Sequence, residues 1–362
     1  MGRELASAAA RWAHLLNQDV RPEIVAVCDP HLPATEWFQA QAPGVQVTTD
    51  YRELLASPAV EAVYCAVPHY LHEEIYIATI QAGKHLFAEK PFGIDLPAAT
   101  RIMDAVNAHP EVLVRCSGQF PFFPGVQRVI QMAREEAFGK IIEVRAGFLH
   151  SSDLDPNKPI NWKRKIELNG EYGCLGDLGL HVVHLPVRLG WVPRNVRALL
   201  SKIVTERPDG KGGMAPCETW DNAILACETD DFPMVLETKR IAPGEANTWY
   251  LNVYGTANSV EYSTKTTKTL RTMPYKSGET QAWREEDLGY ASAYPTSTGG
   301  IFEFGFTDSI LQMWAAFLDE LAHPDGMRGP FGCATPDEAL YSHRLFTAAL
   351  ESQRAGSTVL VS

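Results

Sequence analysis

Between Ile24 and Ser117 two kinds of segment alternate, and that alternation limits the possible folds more than any other feature of the chain. IVAVC, VQVTT, AVYCAV, HLFA and VLVRCS are short, continuous apolar runs with the composition of buried strands. ATEWFQAQA, YRELLAS, LHEEIYIATIQAG and LPAATRIMDAVNA, which separate them, carry their apolar residues at helical spacing. Strands buried on both faces and connected through helices form a parallel sheet, an α/β arrangement. Such a sheet binds its ligand beyond the carboxyl ends of its strands.

The texture changes past Gln119. A helix from Gly125 to Glu136 leads to a long strand, IIEVRAGFLH, and then to a helix from about Asp177. Mostly strands follow: VRALLSKIV, AILACE, MVLETKRI, TWYLNVYGT and SVEYST. Helices near Ile310–Ala322 and Thr335–Ala355 close the chain. Successive strands with polar–apolar alternation predict an open, mostly antiparallel sheet with helices on one face. The expected organisation is a Rossmann-type nucleotide domain over residues 1–118 and an α+β domain over 119–362.

The opening MGRELASAAARWAHLL reads as an amphipathic helix, and the strand behind it ends in Asp29. This is the second half of a dinucleotide unit, with Gly2 where the last glycine of G-x-G-x-x-G would stand and Arg3 beside it. The strand and the first two glycines of that unit are not in the sequence. The expectation is a natural product that begins roughly ten residues upstream, this Met1 being internal. An acid at the position of Asp29 bonds ribose hydroxyls and repels a 2′-phosphate. With Pro30 and His31 after it, and no arginine, NAD is expected rather than NADP.

Two stretches carry chemistry. HLFAEKPFG delivers Glu89, Lys90 and Pro91 at a strand's carboxyl end, where a lysine can hydrogen-bond a reacting hydroxyl. GEYGCLGDLGLHVVHLPVRLGW sets Asp177 and His181 one helical turn apart, the pairing that orients a proton-transferring imidazole. Gly170, Gly173 and Gly176 before them would leave backbone close to a bound molecule. A capping Asp with a partly buried His is the plain structural alternative for the second stretch.

AVPHYLHEE, AGKHLFAEKPFG and then GDLGLH on a helix resemble the Gfo/Idh/MocA family of nicotinamide-dependent sugar and polyol oxidoreductases, over essentially the whole chain from Gly2. The resemblance implies that Lys90 contacts the reacting hydroxyl, that His181 is the acid–base group, and that Asp177 orients it or binds substrate. It also implies that Pro68, His69 and His72 line the nicotinamide, with Glu89 and Gln119 further cofactor contacts. DPNKPINWKRK resembles a loop in members related to levoglucosan dehydrogenase, which would lay Trp162 and Lys163 across cofactor and substrate. His69 stands where the family usually has Asn, and H-x-x-D becomes H-x-x-H through His184. Asp177, His181 and His184 then share one helix face at a spacing compatible with a metal, although no metal is expected. His150, Trp162 and His184 suggest a polyhydroxylated ring as substrate.

A formal charge of −12 without a basic cluster argues against a nucleic-acid surface. No run nears the ~20 apolar residues of a membrane span. Seven scattered cysteines without a CxxC pair read as buried thiols in a reducing cytoplasm. The expected activity is reversible hydride transfer between NAD and a secondary hydroxyl of a sugar, cyclitol or glycoside. The rivals are an NAD-dependent glycoside-cleaving enzyme that works by transient oxidation, and a non-catalytic sugar-binding protein. By analogy with the family, the C-terminal sheet is expected to pair subunits into a homodimer or homotetramer, with Trp249, Tyr250 and Tyr254 in either core or interface.

Overall fold

The computed structural model describes all 362 residues. Five short parallel strands lie in the first third: β1 Ala26–Cys28, β2 Gln46–Thr48, β3 Ala62–Cys65, β4 His85–Ala88 and β5 Val114–Cys116. They do not form the one continuous sheet expected. β1 pairs only with β2, while β3, β4 and β5 make a separate ladder. No strand lies between β1 and β3, so Ala62, Val63 and Tyr64 on the open edge stay half-buried whereas Leu86 and Phe87 on β4 are fully buried. The helices of this part are α1 Gly2–Ala10, α2 Glu36–Gln41, α3 Tyr51–Ala56, α4 His72–Gln81 and α5 Leu96–Ala108. Asp95 starts α5 by accepting the amide of Ala98 at 2.8 Å, a side-chain N-cap ahead of Pro97 in the first turn.

The remaining chain begins with α6 Pro124–Arg134 and the ten-residue β6 Ile141–His150. Three short helices follow: α7 Ile166–Asn169, α8 Cys174–Leu178 and α9 Leu180–Arg188. Then come β7 Asn195–Ser201, the hairpin β8 Glu206–Pro208 and β9 Met214–Pro216, β10 Asn222–Glu228 and β11 Pro233–Lys239. β12 Asn247–Gly255, β13 Asn258–Ser263, β14 Thr269–Pro274 and β15 Arg284–Asp287 precede the long helices α10 Phe306–Ala322 and α11 Pro336–Ala355, and β16 Val359–Leu360 ends the chain. Nine of these strands form one sheet in the order β15-β14-β13-β12-β6-β11-β10-β7-β16, antiparallel except for β11 beside β6.

That single parallel pair sits at the centre of the sheet, and α9 packs across it. Strand alternation explains the layering: Val144, Ala146 and Phe148 of β6 are buried beneath the helices while Glu143 and Arg145 face out. On β12, Trp249, Leu251 and Val253 are buried and Tyr250 and Tyr254 lie half-buried on the other face, so Trp249 is core. The two C-terminal helices return to the N-terminal part of the chain. α10 packs on α1, α11 packs on α5, and Cys116 of β5 donates its amide to Ala334 just before α11. All seven cysteines are free thiols, six of them buried. No helix is long and apolar enough to cross a membrane.

Candidate active site

β4 ends where its sequence turns polar, and the chain runs through Glu89, Lys90 and Pro91 across the seam between the two halves. Glu89 is buried and turned away from the seam, accepting the hydroxyl of Tyr64 at 2.5 Å. Its backbone carbonyl accepts the Tyr76 hydroxyl at 2.8 Å, and the carbonyl of Pro91 lies 2.6 Å from His72 Nδ1. The main chain on each side of Lys90 is therefore held by two side chains one turn apart on α4.

The lysine side chain crosses to the second half. Its Nζ donates to the backbone oxygen of Asp177 at 2.7 Å and to Oδ1 at 3.0 Å. Lys163 Nζ reaches both oxygens of the same carboxylate at 3.0 Å, and Arg240 Nη2, just past the end of β11, lies 2.8 Å from Oδ2. Burial pushes the Asp177 carboxyl up, but Arg240, Lys90 and Lys163 more than offset this and hold it well below the usual carboxylate range. Asp177 is thus a fixed anion. The charges extend inward: Arg164, fully buried, pairs with Asp153 and with Asp221, and Lys158 reaches Asp153 at 3.3 Å.

His181 is placed differently from the sequence expectation. No hydrogen bond joins it to Asp177, whose carboxylate is taken by three cations. Its ring meets Phe120 and Phe148 edge-on, each at 5.3 Å between centroids, and its buried Nδ1 has no partner. Trp249 Nε1 donates to the His181 carbonyl at 2.8 Å and so ties α9 to the sheet. Burial drives the imidazole's proton affinity well below its ordinary value, and the neighbouring Lys90 charge adds to the effect.

The other candidates divide into two groups. His69 and Trp162 come together from the two halves, ring centroids 4.8 Å apart and nearly perpendicular, beside Lys163. Pro68 precedes His69 at the carboxyl end of β3. His150, at the end of β6, has its proton affinity lowered by burial and then by Lys90 and Lys163, which Asp177 partly opposes. These side chains gather around the Lys90–Asp177 contact. His72 does not face the site, for it is fully buried with Nδ1 against Pro91 O and Nε2 3.0 Å from Val67 O. His184 is buried with neither ring nitrogen hydrogen-bonded; its Nδ1 lies 3.9 Å from Glu338, which already holds Arg188. A Cβ added to Gly118 would come within 3.0 Å of His184 Nε2, so His184 packs against the strand exit at Gly118. Asp177, His181 and His184 therefore do not converge, and no three His, Cys, Asp or Glu side chains are grouped as metal ligands.

Gly170 and Gly173 serve packing of the protein itself. Both have positive φ, and a Cβ would meet Ile94 O at 2.3 Å at the first and Trp220 N at 2.5 Å at the second. Gly176 faces Tyr172 and Pro91.

The dinucleotide candidates lie at the carboxyl edge of the parallel strands. Asp29 follows β1 and accepts the amide of His31 at 2.8 Å, which makes it a turn residue whose carboxylate stays partly open. α1 starts at Gly2 without a side-chain cap, leaving amides of the kind that hold a pyrophosphate. Arg3 lies over the Trp37 ring at 5.6 Å. Gln119 is buried directly after the exit of β5. Arg240, Asp153, Arg164 and Asp221 were missed from sequence; the only signal for Arg240 is an arginine closing an apolar strand, in MVLETKR.

Residues 3–115 match the model for the NAD-binding Rossmann fold of an oxidoreductase family, and residues 126–261 match the GFO/IDH/MocA C-terminal domain. Levoglucosan dehydrogenase of Pseudarthrobacter phenanthrenivorans is 28% identical over 230 residues, which is 60% of this chain but only 58% of that protein. The 2,7-anhydro-N-acetylneuraminate hydratase of Mediterraneibacter gnavus is 27% identical over 44% of this chain and 41% of its own. A solved structure of levoglucosan dehydrogenase with NADH superposes with a TM-score of 0.90 at 23% identity, covering 100% of this chain and 96% of the other, which establishes the shared fold.

Proposed function

Because this chain belongs to the GFO/IDH/MocA family of oxidoreductases, we propose that it catalyses reversible hydride transfer between NAD and a secondary hydroxyl of a sugar, cyclitol or glycoside. One observation supports this above the others: the Lys90 ammonium, delivered by the nucleotide half, meets Asp177 of the second half 3.0 Å away, four residues before the buried His181. In this reading Lys90 donates a hydrogen bond to the substrate oxygen and stabilises its developing negative charge. Asp177 anchors Lys90 and Lys163, and His181, unprotonated at neutral pH, accepts the hydroxyl proton.

The residues at hand suit NAD. Asp29 would take the ribose hydroxyls and disfavour NADP; the start of α1, at Gly2 and Arg3, would meet the pyrophosphate; Pro68, His69, Gln119 and Trp162 would flank the nicotinamide. When bound, the cofactor supplies the hydride acceptor. His150, Trp162 and Lys163 would contact the sugar. The outward face of the sheet, with Ile142 and Leu199 more than half exposed, is where a second copy would pack.

The test is NAD reduction across a panel of sugars, cyclitols and glycosides, followed by Lys90→Ala and His181→Ala. Each variant should lose roughly two or more orders of magnitude in turnover and still bind NAD. Near-full turnover in either would remove that residue from the mechanism. A second reading, cleavage or hydration through transient oxidation, is favoured by the similarity to the neuraminate hydratase. Product formation without net NADH would select it.

A further inference from the structure

The ion pairs that meet at Asp177 form one connected network, and its charges do not balance. Lys90, Lys163, Arg240, Arg164 and Lys158 supply five cations, whereas Asp177, Asp153 and Asp221 supply three carboxylates. Two neighbours leave the excess as it is. Glu89 is a buried anion turned onto Tyr64, and Arg207 is a buried cation whose guanidinium bonds only the carbonyls of Asp153, Asp155 and Lys158. Arg164 and Arg240 are almost entirely buried, and none of the guanidinium nitrogens of Arg240 makes a hydrogen bond, Nη1 lying 4.0 Å from Asp153 Oδ2.

The buried part of the network balances, Lys90, Arg164 and Arg240 against the three carboxylates, so the excess lies on the two lysines open to solvent, Lys158 and Lys163, on a protein whose overall charge is −12. Hydride transfer asks for one cation at the reacting oxygen, a part Lys90 fills. Lys163 is the surplus group. It sits on the more open side, its side chain 36% exposed, between Trp162 and the Asp177 carboxylate it shares with Lys90. A positive enclosure in an acidic protein concentrates anions at that point.

We propose that the substrate is an acidic sugar whose carboxylate is received by Lys163 beside the hydroxyl that Lys90 holds. This rests on the dehydrogenase reading above and adds to it the class of substrate. A carboxylate suits the site better than a phosphate, because of the two excess cations only Lys163 stands beside Lys90; Lys158 is held by the Ser152 carbonyl and by Asp153.

The experiment compares a uronic acid, its parent neutral sugar and the corresponding sugar phosphate as substrates with NAD. It also measures binding of all three by calorimetry to the NADH-loaded protein. The uronic acid should exceed the neutral sugar at least tenfold in kcat/KM, and the margin should shrink as salt is raised. In Lys163→Met the acid-to-neutral ratio should fall at least tenfold. If neutral sugars turn over and acids neither react nor bind better, the proposal is wrong while the dehydrogenase reading stands. Preferred turnover of the phosphate also overturns it. Selective binding of the acid, abolished in Lys163→Met and without NADH formation on any substrate, would uphold the acidic ligand and overturn the dehydrogenase reading.

Discussion

Asp177→Asn and Arg240→Met, made singly and together, test whether one carboxylate organises the site. In the folded protein Asp177 lies 2.8 Å from Arg240 Nη2 and 3.0 Å from the Nζ atoms of Lys90 and Lys163. Removing its charge leaves three cations facing one another. Removing one partner of a buried ion pair costs about 3–5 kcal/mol. Lys163 is partly open to solvent and its share is screened, so the loss should fall near the lower end, about 3 kcal/mol. Arg240→Met still leaves the carboxylate two ammonium partners and should cost less, about 1.5–3 kcal/mol, the worth of a single charge-assisted contact. The double variant relieves part of the cation crowding. Its loss should fall short of the sum by about 1–2 kcal/mol, within the range measured for residues in direct contact. Urea melts of the four proteins give these numbers directly. Turnover of Asp177→Asn should drop roughly 10²-fold, because Lys90 loses the anchor that fixes it within an ångström. Additivity within about 0.5 kcal/mol, or an Asp177→Asn protein of wild-type stability, would show that the cations are not organised by this group.

Three further outcomes follow from the same coordinates. Stability should fall as pH drops below about 6.5, because the unfolded chain protonates its histidines there while fully buried His181, His184 and His343 resist; burial takes His343 down to about 3. Each such histidine contributes a slope of up to ~1.4 kcal/mol per pH unit in that window and none above it, so a urea midpoint equal at pH 7.5 and 5.0 contradicts the assignment. Trp249→Phe strips the donor from the buried His181 carbonyl and should cost about 1–3 kcal/mol by denaturant melt, with little change if the carbonyl finds water. Gly173→Ala combines φ +58° with a Cβ 2.5 Å from the Trp220 amide nitrogen and should lose about 1–3 kcal/mol or fail to accumulate; wild-type melting would show that the loop can shift.

Much of this was readable along the chain. The apolar runs located all five parallel strands, and alternation in IIEVRAGFLH and TWYLNVYGT located two neighbouring strands of the large sheet, while leaving open whether Trp249 lay in core or interface. Lys90 could be placed because a strand's carboxyl end is a fixed address in such a fold. Partner choice was not readable. Asp177 and His181 stand one turn apart, a spacing that permits a pair without requiring one. The competing partners, Lys163 and Arg240, lie 14 residues before and 63 residues after Asp177, and only the crossing of a loop and a strand end brings them in. His72 shows the same limit. Its position in PHYLHEE suggests a ligand contact, yet helix geometry turns it inward onto two carbonyls.

The separation of Asp177 from His181 has a chemical sense in the proposed reaction. A carboxylate bonded to an imidazole raises its proton affinity, and near neutral pH part of the population is then already protonated and cannot accept the hydroxyl proton. Phe120 and Phe148 act in the opposite direction by withholding solvent from the ring, and the nearby Lys90 charge reinforces them. His181 accordingly stays neutral well below its ordinary titration range, while Asp177, its charge spent on Lys90, Lys163 and Arg240, keeps positive charge on the side where the substrate oxygen becomes negative. If Asp177 turned to His181, it would weaken the anchoring of Lys90 and raise the proton affinity of the base at once. On this reasoning, the acid limb of kcat/KM for alcohol oxidation belongs to a group titrating below 6.5, and it should move upward in Phe120→Asn, which readmits a polar neighbour to the imidazole.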